Sequence, residues 1–68
     1  MDCIVDTGLE LIPIEIKAGE KVKLSDVRGL ASFIDLYGSQ IKNAYVITNG
    51  RLPEKLNSKI TAVPWKFI

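Results

Sequence analysis

Histidine is absent from this 68-residue chain, cysteine occurs once, and aromatic residues make up 7%. Without histidine there is no Ser-His-Asp or Cys-His pair for nucleophilic catalysis, and no zinc centre built on imidazole. The lone Cys3 forms no intrachain disulfide and reads as a reduced, small core residue of a cytoplasmic protein. Long apolar runs are missing too. None approaches the ~18 residues of a membrane span, and the N-terminus has no basic stretch leading into an apolar one. What remains is 47% apolar and 25% charged residues, the composition of one small globular domain. A chain this short buries only about 60% of its unfolded surface, so a partner chain is the simplest source of further stability.

The net charge of +1 conceals an uneven distribution. Residues 1–16 carry four acids (Asp2, Asp6, Glu10, Glu15) and no base, while residues 17–68 carry nine bases against four acids. Such asymmetry points either to metal or nucleic-acid binding or to solvated faces that differ in sign.

Apolar periodicity orders the chain as hairpin, helix, strand and short tail. Cys3–Val5 and Leu11–Lys17 read as two strands joined through Asp6-Thr7-Gly8. Pro13 lacks a ladder donor and requires either an outward-facing position or a bulge. Ser25 or Asp26 can cap a helix starting near Asp26 or Val27. Its apolar stripe is Val27, Leu30, Ala31 and Ile34, at i, i+3, i+4 and i+7. Gly29 within it suggests close packing on a sheet, and Gly38 suits the position just after its end. Asn43–Thr48 reads as a buried strand closed by Asn49-Gly50, followed by a loop through Arg51, Pro53 and Asn57 and a short strand near Lys59–Ala62. If the third strand runs parallel to the second, the helix is a crossover, and the fold is α/β in the order β-β-α-β with a short C-terminal strand.

A two-residue Gly8-Leu9 hairpin loop fixes the register so that opposed residues sum to seventeen. Asp2 then faces Glu15, both carboxylates project from one side of the sheet, and Lys17 shares that side. Like charges directly opposed are costly unless a cation lies between them, and two carboxylates with waters suit Mg²⁺ or Mn²⁺. Lys17 could stabilise charge developing on a phosphate, the catalytic role in such a site. Cys3, Val5, Ile12, Ile14 and Ile16 occupy the opposite face, which is apolar enough to receive the helix stripe. A one-residue slip would abolish the constellation. Asp6 is an outside candidate ligand beside Glu10 at a solvated hairpin end. Lys21, Lys23 and Arg28 could contact DNA phosphates or simply solubilise the helix start. Trp65 could plug the core, meet a partner chain or stack on a base. The competing reading of Asp2, Glu15 and Lys17 is an exposed strand face with ordinary charges.

Asp2, then twelve intervening residues, then Glu15-Ile16-Lys17 resembles the PD-(D/E)XK nuclease pattern. Together with "AYVITNG" and the ending "KITAVPWKFI", the whole stretch resembles the C-terminal nuclease-like domain of a prokaryotic AAA+-type ATPase family. The resemblance implies a truncated restriction-endonuclease-like core with Asp2 and Glu15 as metal ligands and Lys17 as the catalytic lysine. The chain has no G-x-x-x-x-G-K-S/T loop and therefore no ATP site. It matches the back half of such a domain, a single partial unit over residues 1–68, with homo-oligomerisation or the missing N-terminal half expected to cover what is exposed. Two functions follow as expectations: magnesium-dependent phosphodiester hydrolysis, lost or retained, and a non-catalytic self-association or protein-interaction module.

Overall fold

The computed structural model describes all 68 residues. A hairpin of β1 (Cys3–Asp6) and β2 (Leu11–Ile16) leads through a 3-10 turn at Leu24–Val27 into α1 (Arg28–Leu36). β3 (Ala44–Thr48), the two-residue β4 (Glu54–Lys55) and β5 (Ile60–Pro64) follow, and a 3-10 turn at Trp65–Phe67 ends the chain. The α/β class and the strand-strand-helix-strand order agree with the sequence reading. The five strands form one mixed sheet in the order β1-β2-β3-β5-β4. β2, β3 and β5 are mutually parallel, with antiparallel β1 and β4 at the two edges. α1 is thus the crossover between parallel β2 and β3.

The hairpin register is the expected one: Cys3 pairs with Ile14 and Asp6 with Leu11. Gly8 has φ +85°, which a side chain would resist, and the Thr7 N–H donates to the Glu10 carbonyl at 3.1 Å. Asp6 Oδ1 accepts the Gly8 N–H at 2.9 Å, so this carboxylate shapes the turn. Pro13 is buried opposite Ile4 without a bulge. Pairing with β3 begins only at Ile14, so the missing donor breaks no rung there.

The helix stripe is buried as its spacing predicts, with Val27, Leu30 and Ile34 closing on Ile41, Ala44, Val46 and Ile60. The face it covers is not the expected one. Glu15 pairs with Val46 and Val46 with Ala62, so the covered face carries Leu11, Pro13, Glu15 and the alternate residues Ala44, Val46, Thr48, Ile60 and Ala62. Cys3, Val5, Ile12, Ile14 and Ile16 point to the other side, which no element covers, and Cys3 is exposed rather than a core residue. Deciding this are β3 and β5, whose buried sets are small or β-branched and leave room for a helix, while their opposite faces present Tyr45, Ile47, Thr61 and Val63.

Three local expectations also change. Gly29 is exposed, and a Cβ there would meet nothing within 4 Å, so it marks no close packing. Gly38 does stand in the expected place, directly after the C-cap Tyr37 whose N–H bonds the Phe33 carbonyl, but it is not left-handed and instead begins a 3-10 turn. Asn49-Gly50 makes no hairpin, because β3 and the strand beside it, β5, are parallel. Gly50 is needed for room, since a Cβ there would stand 2.9 Å from the Glu20 carbonyl oxygen.

Candidate functional site

Asp2 precedes β1 by one residue, and continuing the hairpin register places it opposite Glu15. Its N–H donates to the Ile14 carbonyl at 3.2 Å, and its Oδ2 accepts the Ile16 N–H at 2.7 Å. The carboxylate therefore stands in for a backbone acceptor and extends the β1–β2 ladder by one rung. Glu15 lies near the middle of the sheet on the helix-covered face, its side chain 12% exposed, with Oε1 3.4 Å from the Met1 ammonium. That positive charge answers part of the repulsion between opposed carboxylates.

Lys17 follows β2, and its N–H donates to the Ile47 carbonyl at 2.9 Å, extending the parallel ladder by one residue. Alternation along β2 puts it on the side of Glu15. It helps line a cleft of about 330 Å³ with Ile16, Ala18, Ile47, Asn49 and Trp65. Sequence reasoning did not connect Asn49 and Trp65 with Lys17. The connection comes from parallel β5 lying against β3, which brings the end of β5 to the end of β2 and β3, a relation no local motif encodes. Trp65 is 63% exposed and plugs no core in this chain.

The same end of the sheet is braced by its loops. The Asn49 N–H donates to the Gly19 carbonyl at 3.0 Å and the Gly50 N–H to Thr48 Oγ1 at 3.1 Å. Lys21, Lys23 and Arg28 are all exposed, and none lines the Lys17 cleft. Lys21 shares an open groove with Glu20, Arg51, Leu52, Pro53 and Glu54, whose charges are mixed. Lys23 and Arg28 flank the 3-10 turn that starts the helical segment, where Asp26 Oδ2 accepts the Lys23 N–H at 2.8 Å and Ser25 makes no capping bond.

The family model of a domain of unknown function, DUF4143, matches residues 1–68, the entire chain. The chain belongs to the DUF4143 family. This domain is typical of proteins associated with AAA-type ATPases. No curated protein and no solved structure matches the chain.

What this DUF4143 chain offers a metal is narrow. No group of three or more His, Cys, Asp and Glu side chains converges anywhere in it. Asp2 and Glu15 are two carboxylates, and one oxygen of each already has a protein partner. Such a pair suits a hard cation that keeps several waters, the manner in which Mg²⁺ is usually held; it does not suit a cage of protein ligands. No helix of the chain is long and apolar enough to cross a membrane.

Proposed function

We propose that this chain is the nuclease-like portion of an ATPase-associated protein, retaining a weak divalent-cation site at Asp2 and Glu15 and lacking turnover on its own. The observation that carries this reading is the register: Asp2 opposite Glu15, with Lys17 on the same side at the end of β2. Mg²⁺ or Mn²⁺ bound there would supply charge to polarise a phosphodiester and water to attack it. Asp2 and Glu15 would hold the cation, and Lys17 would face the phosphate. Weakness follows from the partners already in place, the Ile16 N–H on Asp2 and the Met1 ammonium on Glu15, which a cation must displace or share. In this reading DNA is the polymer held, and the exposed Lys21, Lys23 and Arg28 supply sequence-independent phosphate contacts.

Titration with Mg²⁺, followed by NMR shifts at Asp2, Glu15 and Lys17, tests the site together with a cleavage assay on single- and double-stranded DNA. The expected result is weak, saturable binding, its loss in Glu15→Gln, and no cleavage. Absence of any shift at those residues would remove the cation site. Metal-dependent cleavage that disappears in Lys17→Ala would overturn the loss of turnover. A second reading, a non-catalytic interaction module, is favoured by a different observation, the uncovered apolar face of the sheet.

A further inference from the structure

We infer that the cleft beside Lys17 holds one unpaired nucleotide of a single DNA strand, its base stacked on Trp65 and its phosphate on the Lys17 ammonium. The inference rests on the proposed reading of DNA as the polymer held, and adds to it the form of that DNA and the residue that holds its base. β2, β3 and β5 are parallel, so their carboxyl ends lie together at one end of the sheet, the end at which open α/β sheets take their ligands. Ile16 pairs with Ile47 and Thr48 with Pro64. One residue further along, Lys17 stands level with Thr48, and Asn49 with Trp65. Two strand spacings, about 10 Å, separate the end of β2 from the end of β5, a span that a lysine side chain and one nucleotide cover together.

The backbone of this cleft is pinned while its side chains are free. The Lys17 N–H is held by the Ile47 carbonyl at 2.9 Å and the Asn49 N–H by the Gly19 carbonyl at 3.0 Å, and Trp65 follows the fully buried Pro64. The Lys17 ammonium has no carboxylate partner, since the chain's one ion pair joins Met1 to Glu15. The Lys55 and Lys59 ammoniums, by contrast, already sit on the Ser58 and Gly38 carbonyls. The chain's aromatic pair is Phe33 with Tyr37, so the Trp65 ring, 63% exposed, meets no other ring. Asn49 is exposed between them and offers both a donor and an acceptor to a base edge.

Charge and shape together select the ligand. No carboxylate lines this cleft, whereas the groove that contains Lys21 and Arg51 also contains Glu20 and Glu54. A lone positive charge beside a free indole face fits an anion carried on a flat ring, which is what a nucleotide is. An acidic peptide would satisfy Lys17 and leave the indole unused. A duplex keeps its bases stacked inside and presents no base face to Trp65, so the ring selects an unpaired base. The volume of about 330 Å³ lies at the small end of the range for ligand sites, room for one nucleotide rather than several. Lys66, exposed and next to Trp65, adds positive charge along the path of the strand.

Trp65 is the single tryptophan, so its fluorescence reports on the cleft directly. The whole chain is titrated in EDTA with an oligothymidylate of about 8 nucleotides, a duplex of the same length, thymidine 5′-monophosphate and an oligoglutamate. The expected result is saturable quenching by the single strand and little by the other three. In anisotropy titrations of the labelled oligothymidylate, Trp65→Ala should weaken binding at least fivefold, and Trp65→Phe, which keeps a ring, should recover most of the loss. Lys17→Ala should lower the slope of log affinity against log salt by about 0.7, the share of one phosphate. Lys42→Ala, exposed ahead of β3 at the opposite end of the sheet, should change neither, and circular dichroism should show every variant folded. Absence of quenching by the single strand would overturn the inference, as would a Trp65→Ala variant that binds like the parent. Equal quenching by the duplex, the mononucleotide or the oligoglutamate would overturn it too. Duplex binding that leaves Trp65 unquenched would overturn this inference and spare DNA as the polymer held. Strand quenching without any Mg²⁺ shift at Asp2 and Glu15 would support it and remove only the cation site, so the two readings fail separately.

Discussion

Replacing Leu30 with alanine separates the two faces of the sheet more directly than any other single change. Leu30 is completely buried, one of the largest fully buried side chains, and sits on α1 among Val27, Ile34, Val46 and Ile60. Truncation there removes the buried branched end of the side chain and leaves a cavity that β3 and β5 cannot collapse into, since Ala44 and Val46 are anchored by ladders on both sides. Substitutions of this kind cost about 3 kcal/mol. A chain of 68 residues has a total stability of roughly 3–10 kcal/mol. One substitution therefore consumes between a third and all of it, and the melting temperature should fall by about 12–24 °C. Ile16→Ala is the matched comparison. Ile16 is 63% exposed on the uncovered face, and its truncation should cost less than about 1 kcal/mol. Urea unfolding followed by circular dichroism measures both. Were Leu30→Ala to stay within 1 kcal/mol of the parent, or Ile16→Ala to cost as much as Leu30→Ala, the assignment of the covered face would be wrong.

Two further substitutions probe the loops that hold the strand ends. Gly50→Ala sets a methyl 2.9 Å from the Glu20 carbonyl oxygen and 3.2 Å from Thr48 Oγ1, and because backbone must give way it should destabilise by about 1–3 kcal/mol in the same urea experiment, whereas Gly29→Ala, in open space within α1, should be neutral or stabilising. Asn57→Ala removes the Oδ1 that accepts both the Lys59 and Ile60 N–H groups, at 2.9 and 2.8 Å; a loss of about 1–3 kcal/mol, with faster amide exchange at Ile60, is expected.

The contrast between Leu30 and Ile16 also shows what local sequence can determine. The hairpin register was legible because Gly8 and the two-residue turn leave one pairing, and from it followed the juxtaposition of Asp2 and Glu15. The helix stripe was legible because Val27, Leu30, Ala31 and Ile34 repeat with the helical period. Neither signal says which side of the sheet the stripe meets. On β2 alone the Ile12, Ile14, Ile16 side is the more apolar, and a helix would be expected there. The choice belongs to β3 and β5, where both sides are apolar and the deciding difference is size: alanines at 44 and 62 admit a helix, while Tyr45 faces away. Asp2 and Glu15 consequently lie on the covered side, and the apolar side is left without a cover inside this chain. The same arrangement explains why Trp65 could not be placed from its neighbours. Its position beside Lys17 depends on the parallel stacking of β3 and β5, two strands separated in sequence by β4 and both its loops. A mixed sheet of this kind is specified by pairings between distant segments, so its edge chemistry can be read from the hairpin, but its second layer can be assigned only once every strand direction is known.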